Sequence, residues 1–109
     1  MFESPLFHKS LAEFAGTFVI VFAGCGALML RDRFPNLIPS AVIPLIFGLA
    51  VMVMILAVGP ISGAHFNPAV TLAFVAAKRF PAALISVYLF SQCAGGLSAA
   101  GLLMALRKI

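Results

Sequence analysis

The sequence predicts an all-α membrane protein of three transmembrane helices and one re-entrant half-helix. Three observations carry that prediction. The chain is 63% hydrophobic and 9% charged, with a mean hydropathy of +1.18, whereas a soluble domain averages about 25% charged residues. Residues 34–77 form a run of 44 without a single Lys, Arg, Asp or Glu. Inside that run stands Asn67-Pro68-Ala69, which reads as the start of a helix. Pro suits the first helical turn because its missing N–H would have no partner there, and Asn is a good N-cap. The helix from Pro68 to about Ala77, ending before Lys78 and Arg79, is roughly 15 Å long. That is half of a ~30 Å hydrocarbon core, so its positively polarised N-terminus is expected near the bilayer midplane. Irregular backbone is tolerated at that depth only inside protein or beside a water-filled cavity, and this points to a pore.

The elements follow in order. A first span covers about 11–30, with Glu13 as the lone charge within it. Arg31-Asp32-Arg33-Phe34-Pro35-Asn36 is a turn-rich polar loop. The second span covers about 41–58, with Pro44 in its first turns, where a lost donor is tolerated. Residues 59–77 hold an irregular stretch, 59–66, and the half-helix. Pro81 precedes a third span over about 82–106, closed by Arg107-Lys108. All of 1–109 is expected to form one membrane unit without a separate soluble domain. No internal repeat or low-complexity tract interrupts it.

Seven basic residues against three acidic ones give a pI of about 9.7. Lys9, Arg31, Arg33, Lys78, Arg79, Arg107 and Lys108 each lie at the edge of an apolar run, as bilayer-flanking charges do. They form no face that could track a nucleic-acid backbone, so the expected partner is a lipid bilayer, that of a cell (plasma or inner) membrane, and no nucleic acid. Phe22-Ala23-Gly24-Cys25 faintly resembles a lipoprotein cleavage site. Phe is poor at its first position, and further spans follow. Cys25 and Cys93 read as packed thiols, not as a disulfide or a metal pair. No nucleophile–base pair, metal-ligand set or phosphate-binding loop is visible, so neither an enzyme nor a cofactor is expected.

Ser62-Gly63-Ala64-His65-Phe66-Asn67-Pro68-Ala69-Val70-Thr71 resembles the first signature loop of the aquaporin and glycerol-facilitator (major intrinsic protein) family. Ala12-Glu13-Phe14-Ala15-Gly16-Thr17-Phe18 resembles that family's first helix, and Gln92-Cys93-Ala94-Gly95 its third. The match runs in order along nearly the whole chain. Family members carry two such halves as an inverted repeat, and this sequence resembles one half. Val70 follows the Asn-Pro-Ala motif, as in first halves, where second halves have an arginine.

The resemblance implies a passive channel for water or small neutral solutes such as glycerol. The pore would close only with a second half, either an antiparallel copy of the chain or a separate second-half chain, possibly within a higher oligomer. Asn67, Pro68 and Ala69 would form the pore motif, with the carbonyls of Gly63, Ala64, His65 and Phe66 as acceptors. Phe47, twenty residues before Asn67, falls at an aromatic filter position, with lipid or core packing as its other reading. Ile55, Ala64 and Val70 of a symmetric partner would complete the filter. Two roles are open to Glu13: a solvated group near the interface or, as the resemblance implies, an acceptor for N–H groups of the 63–66 loop. His65 reads as a residue that fixes the loop, with pH sensing as the alternative. Gln92 and Tyr88 are candidates for hydrogen bonds between helices, Gln92 in support of the loop. The small-residue pairs Ala12/Gly16, Ser91/Gly95 and Gly96/Ala100 suit close helix crossings. The rival reading from another class is a non-conducting membrane fragment, or a partner subunit that modulates a full-length relative.

Overall fold

The computed structural model describes residues 4–109. Four α-helices follow one another: α1 (Leu6–Arg33), α2 (Val42–Ser62), α3 (Pro68–Ala76) and α4 (Ile85–Arg107). A 3-10 turn, Ala82–Leu84, leads into α4. No strand occurs among the described residues. α1, α2 and α4 with its leading turn are each long and apolar enough to cross a membrane, and the chain is an integral membrane protein of all-α class.

α1 is longer than expected. Its 28 residues span about 42 Å, longer than a ~30 Å hydrocarbon core. α2 also differs from expectation, for it continues through Gly59 and Pro60 to Ser62. The stop is set instead by Gly63, left-handed at φ 90°, a conformation that Gly adopts without a Cβ clash. Pro60 falls in the last turn, so the i−4 bond it cannot donate is lost at the helix end and not in mid-span. The irregular stretch thereby shrinks to residues 63–66 before the Asn67 cap.

α3 is nine residues long, or about 14 Å. Its C-terminus closes as a full Schellman motif. The Arg79 N–H donates to the Phe74 carbonyl at 2.8 Å and the Lys78 N–H to the Val75 carbonyl at 3.0 Å. Lys78 takes the left-handed position at φ 59°, where Gly is usual.

α1 packs against both α2 and α4, while α2 and α4 scarcely meet. The three helices make a V-shaped trough with α1 at its floor. The α1–α4 crossing is close because Gly95 lies on the Phe14 carbonyl. A Cβ at Gly95 would come within 2.4 Å of that oxygen. Tyr88, Ser91, Gln92, Gly95, Ala99 and Leu103 form the buried face of α4. Cys93, expected as a packed thiol, is instead exposed, because one residue past Gln92 the helix has turned about 100° away from that face. Cys25 is half-buried.

Candidate functional site

The re-entrant segment fills one end of the trough, and Glu13 is its anchor. This carboxylate is fully buried and accepts four hydrogen bonds. Its Oε2 accepts from the Ser62 hydroxyl at 2.7 Å and the His65 N–H at 3.1 Å. Its Oε1 accepts from the Phe66 N–H at 2.9 Å and Gln92 Nε2 at 2.8 Å. A buried charge is tolerated when its lone pairs are met in this way.

A second layer of bonds ties the loop to α4. Tyr88 donates its hydroxyl to the Ser62 carbonyl at 2.6 Å. Gln92 Nε2 also donates to Thr71 Oγ1 at 3.0 Å, and His65 Nδ1 lies 2.8 Å from that same oxygen. The His65 ring is enclosed by Phe74, Phe80 and Tyr88, with centroids 4.8, 4.7 and 5.1 Å away. Phe66 lays its ring on Gly16, where a Cβ would come within 2.0 Å of the ring. Serine, threonine and tyrosine hydroxyls thus carry much of the anchoring. The signal in the sequence was their presence within an apolar stretch, where a hydroxyl needs a partner.

The backbone of the loop is bent by three left-handed residues, Gly63, Ala64 (φ 57°) and Phe66 (φ 55°). The two that are not glycine cost about 1–2 kcal/mol each, and the Glu13 bonds hold them in place. The carbonyls of Gly63, Ala64, His65 and Phe66 accept no hydrogen bond from any described residue. Asn67 caps α3: its Oδ1 accepts from the Ala69 N–H at 2.8 Å. That leaves the Asn67 amide NH2 free, on an exposed residue. Pro68 occupies the first turn of α3.

The remaining candidates lie along the walls. Ile55 and Ala64 come together over Gly59, each 3.8 Å from where a Cβ at Gly59 would stand. Val70 is half-buried in the first turn of α3. Phe47 is half-buried and rests its ring on Gly24 at the α1–α2 contact, where a Cβ on Gly24 would come within 2.1 Å. It does not join the loop cluster.

The other end of the trough is open. A cavity of about 770 Å³ lies there, lined by Phe22, Ala27, Leu30, Ile46, Leu103 and Leu106, with Asp32, Arg33 and Arg107 at its edge. No cluster of three or more metal-ligating side chains occurs among the described residues.

Comparison with known proteins matches this sequence to one family. The chain is 47% identical over 102 residues to aquaporin NIP1-1 of rice, covering 94% of this chain and 36% of that protein. It is 48% identical over 99 residues to aquaporin Z of Photorhabdus laumondii, covering 90% of this chain and 43% of the relative. Nodulin-26 of soybean is 40% identical over 99 residues, again with 36% of its length matched. The chain therefore spans less than half the length of these relatives. The family model described as major intrinsic protein matches residues 1–109, and the chain belongs to the major intrinsic protein family.

Proposed function

We propose that this chain supplies one half of a passive channel for water and small neutral solutes such as glycerol. The observation that carries the reading is the row of four unpaired carbonyls beside the free Asn67 amide. They lie at the level of Gly16 on α1 and Gln92 on α4, about 10 to 15 Å inside the nearest helix ends. Lipid cannot solvate such groups. A water-filled lumen can, and the row then becomes a ladder of acceptors ending at one donor. The Asn67 NH2 gives its hydrogen to a passing water or hydroxyl oxygen. As in aquaporin-type pores generally, the positive end of the half-helix holds back cations at the same point.

The lumen needs a second wall. α3 occupies one end of the trough and the cavity the other, and we read the open end as the seat for the half-helix of a second half related by a twofold axis in the membrane plane. An inverted second copy is the partner that fits this shape, with a separate second-half chain as the other source. The flanking charges favour the copy. With the half-helix returning to the side it came from, Lys9, Lys78 and Arg79 flank one face, and Arg31, Arg33, Arg107 and Lys108 the other. Three against four is close to unbiased, which allows insertion both ways. In such a pair Phe47 of one copy would face Ile55, Ala64 and Val70 of the other. That constriction is apolar and suits small uncharged solutes. On this reading transport is passive and the chain is a channel component, not an enzyme.

Asn67→Asp tests the assignment. The new charge attracts a cation at the helix end by about 1–4 kcal/mol at a separation of about 4 Å, depending on the wetness of the lumen. Cation leak should rise about tenfold and neutral-solute flux should fall, as read by a pH-dye assay and light scattering in proteoliposomes. Unchanged flux and leak in an assembled variant would remove Asn67 from the pore.

A further inference from the structure

We propose that the open end of the trough binds one anionic phospholipid, with its phosphate held by Arg33 and Arg107 and an acyl chain lying in the cavity. This site rests on the cavity itself and not on the pore reading. It is what fills the open end while no second half is seated there.

The depth of the cavity is that of one leaflet. Arg33 is the last residue of α1 and Arg107 the last of α4, and both stand at the cavity's edge. The two helices run parallel, since Glu13 meets Gln92 near their starts and Gly26 approaches Leu103 near their ends. Their ends therefore reach the same membrane face. Arg33 Nη2 lies 3.5 Å from the Ile109 carbonyl oxygen, which draws those ends together. From Arg33 the lining runs down α1 through Leu30 and Ala27 to Phe22. Phe22 is eleven residues before Arg33, or about 16 Å along the axis. That is about half of a ~30 Å hydrocarbon core.

The chemistry changes along that depth as it does along a lipid. Below the rim Phe22, Leu30, Ile46, Leu103 and Leu106 offer only apolar surface. Water gains nothing from such a lining, whereas lipid tails are as apolar as leucine. The rim carries two guanidinium groups against the single carboxylate of Asp32. Arg31 is engaged elsewhere, donating from Nη2 to the Ser40 hydroxyl. A guanidinium fork matches phosphate oxygens, and basic pockets between membrane helices hold anionic head groups. The opposite flank differs. There α3 fills the trough, and Lys78 and Arg79 follow its C-terminus.

Native mass spectrometry of the full chain in detergent tests the site, with phosphatidylglycerol, phosphatidylcholine or inorganic phosphate added. Monomers and dimers separate by mass, so lipid on the single chain is read apart from pairing. The monomer should retain one phosphatidylglycerol, about fivefold more than phosphatidylcholine, the worth of one net positive charge at a membrane surface. Inorganic phosphate should not displace it. Arg33→Gln with Arg107→Gln leaves Asp32 alone at the rim, and the preference should vanish or reverse. Lys78→Gln with Arg79→Gln should leave it unchanged. A photoreactive acyl chain should label residues between Phe22 and Leu30, or Leu103. Equal retention of the two lipids, a preference that outlives both arginines, displacement by inorganic phosphate, or labelling confined to other residues overturns the proposal. The comparison of lipids on the unaltered chain needs no variant. Conducting dimers without any lipid preference on the monomer would remove this site and leave the pore reading standing. A lipid preference without flux would do the opposite.

Discussion

At one end of the trough Glu13, Ser62, His65, Thr71, Tyr88 and Gln92 share a closed set of hydrogen bonds. At the other end, Phe22, Leu30, Ile46, Leu103 and Leu106 surround a cavity of about 770 Å³. The same three helices make both ends. The difference teaches that polarity and filling go together here. Where irregular backbone enters the trough, its donors must be met inside the protein, so the chain supplies a carboxylate and several hydroxyls. Where no backbone enters, apolar side chains suffice, and the volume is left for something else. At the first end the His65 and Phe66 N–H groups are met within the chain. In the proposed pore the second end is completed by a second half.

The largest expected effect falls on the polar end. Glu13→Ala leaves the Ser62 hydroxyl and the His65 and Phe66 N–H groups without their acceptor. Each buried donor left unmet in this way costs about 1–3 kcal/mol. A falling thermal midpoint in detergent, with faster proteolysis near residues 63–67, is the expected outcome. An unchanged midpoint would show that the loop holds itself in place.

Filling the apolar end should do the reverse. Ala23 lines the cavity, and Ala23→Leu adds apolar volume where room exists. The single chain should lose less than about 1 kcal/mol of stability, whereas solute flux should drop at least tenfold because the seat for the second half is occupied. Crosslinking and flux measured on one preparation separate the two ends. Flux that survives with Leu in place would mean that the cavity takes no part in assembly.

A smaller effect is expected at Phe47, which stands on the wall between the two ends. Phe47→Ala removes a benzyl ring while the nearby lining stays apolar. Larger polyols should gain a few-fold in flux relative to glycerol, with about 2 kcal/mol lost from packing on Gly24. A constant polyol ratio would place Phe47 outside the constriction. The smallest effect concerns the flanks. Cysteine labelling near Arg33 and Lys108 in intact cells should find both orientations, within a ratio of about twenty to one, given the near balance of charges. Greater asymmetry with conduction retained, in the absence of a second-half chain, would leave no place for an inverted copy.

The α3 start was legible because Asn and Pro each state a backbone preference, and together they fix one residue as the cap. The spans were legible because an uncharged run of 44 residues has few other uses. The end of α2 was not, since Gly59-Pro60 reads locally as a break, yet Gly63 four residues after Gly59 is the true stop. For Glu13 the sequence left two roles open, interface or interior. Depth in a bundle is a tertiary fact, and the helix begins five residues earlier than its apolar run suggests. Ser62 and Thr71 passed unnoticed as anchors for the same reason. A hydroxyl names what it can bond to, never which helix will bring the partner.

The chain contains one tyrosine and no tryptophan, and that tyrosine is Tyr88, clamped to the Ser62 carbonyl at the base of the loop. Intrinsic emission from the protein is therefore the emission of a single ring at the joint between α2 and α4. Anything that frees the loop, whether solvent, a substitution or the arrival of a second half, alters the surroundings of that one phenol. The molecule carries its own optical gauge of loop closure, and no dye has to be attached to read it.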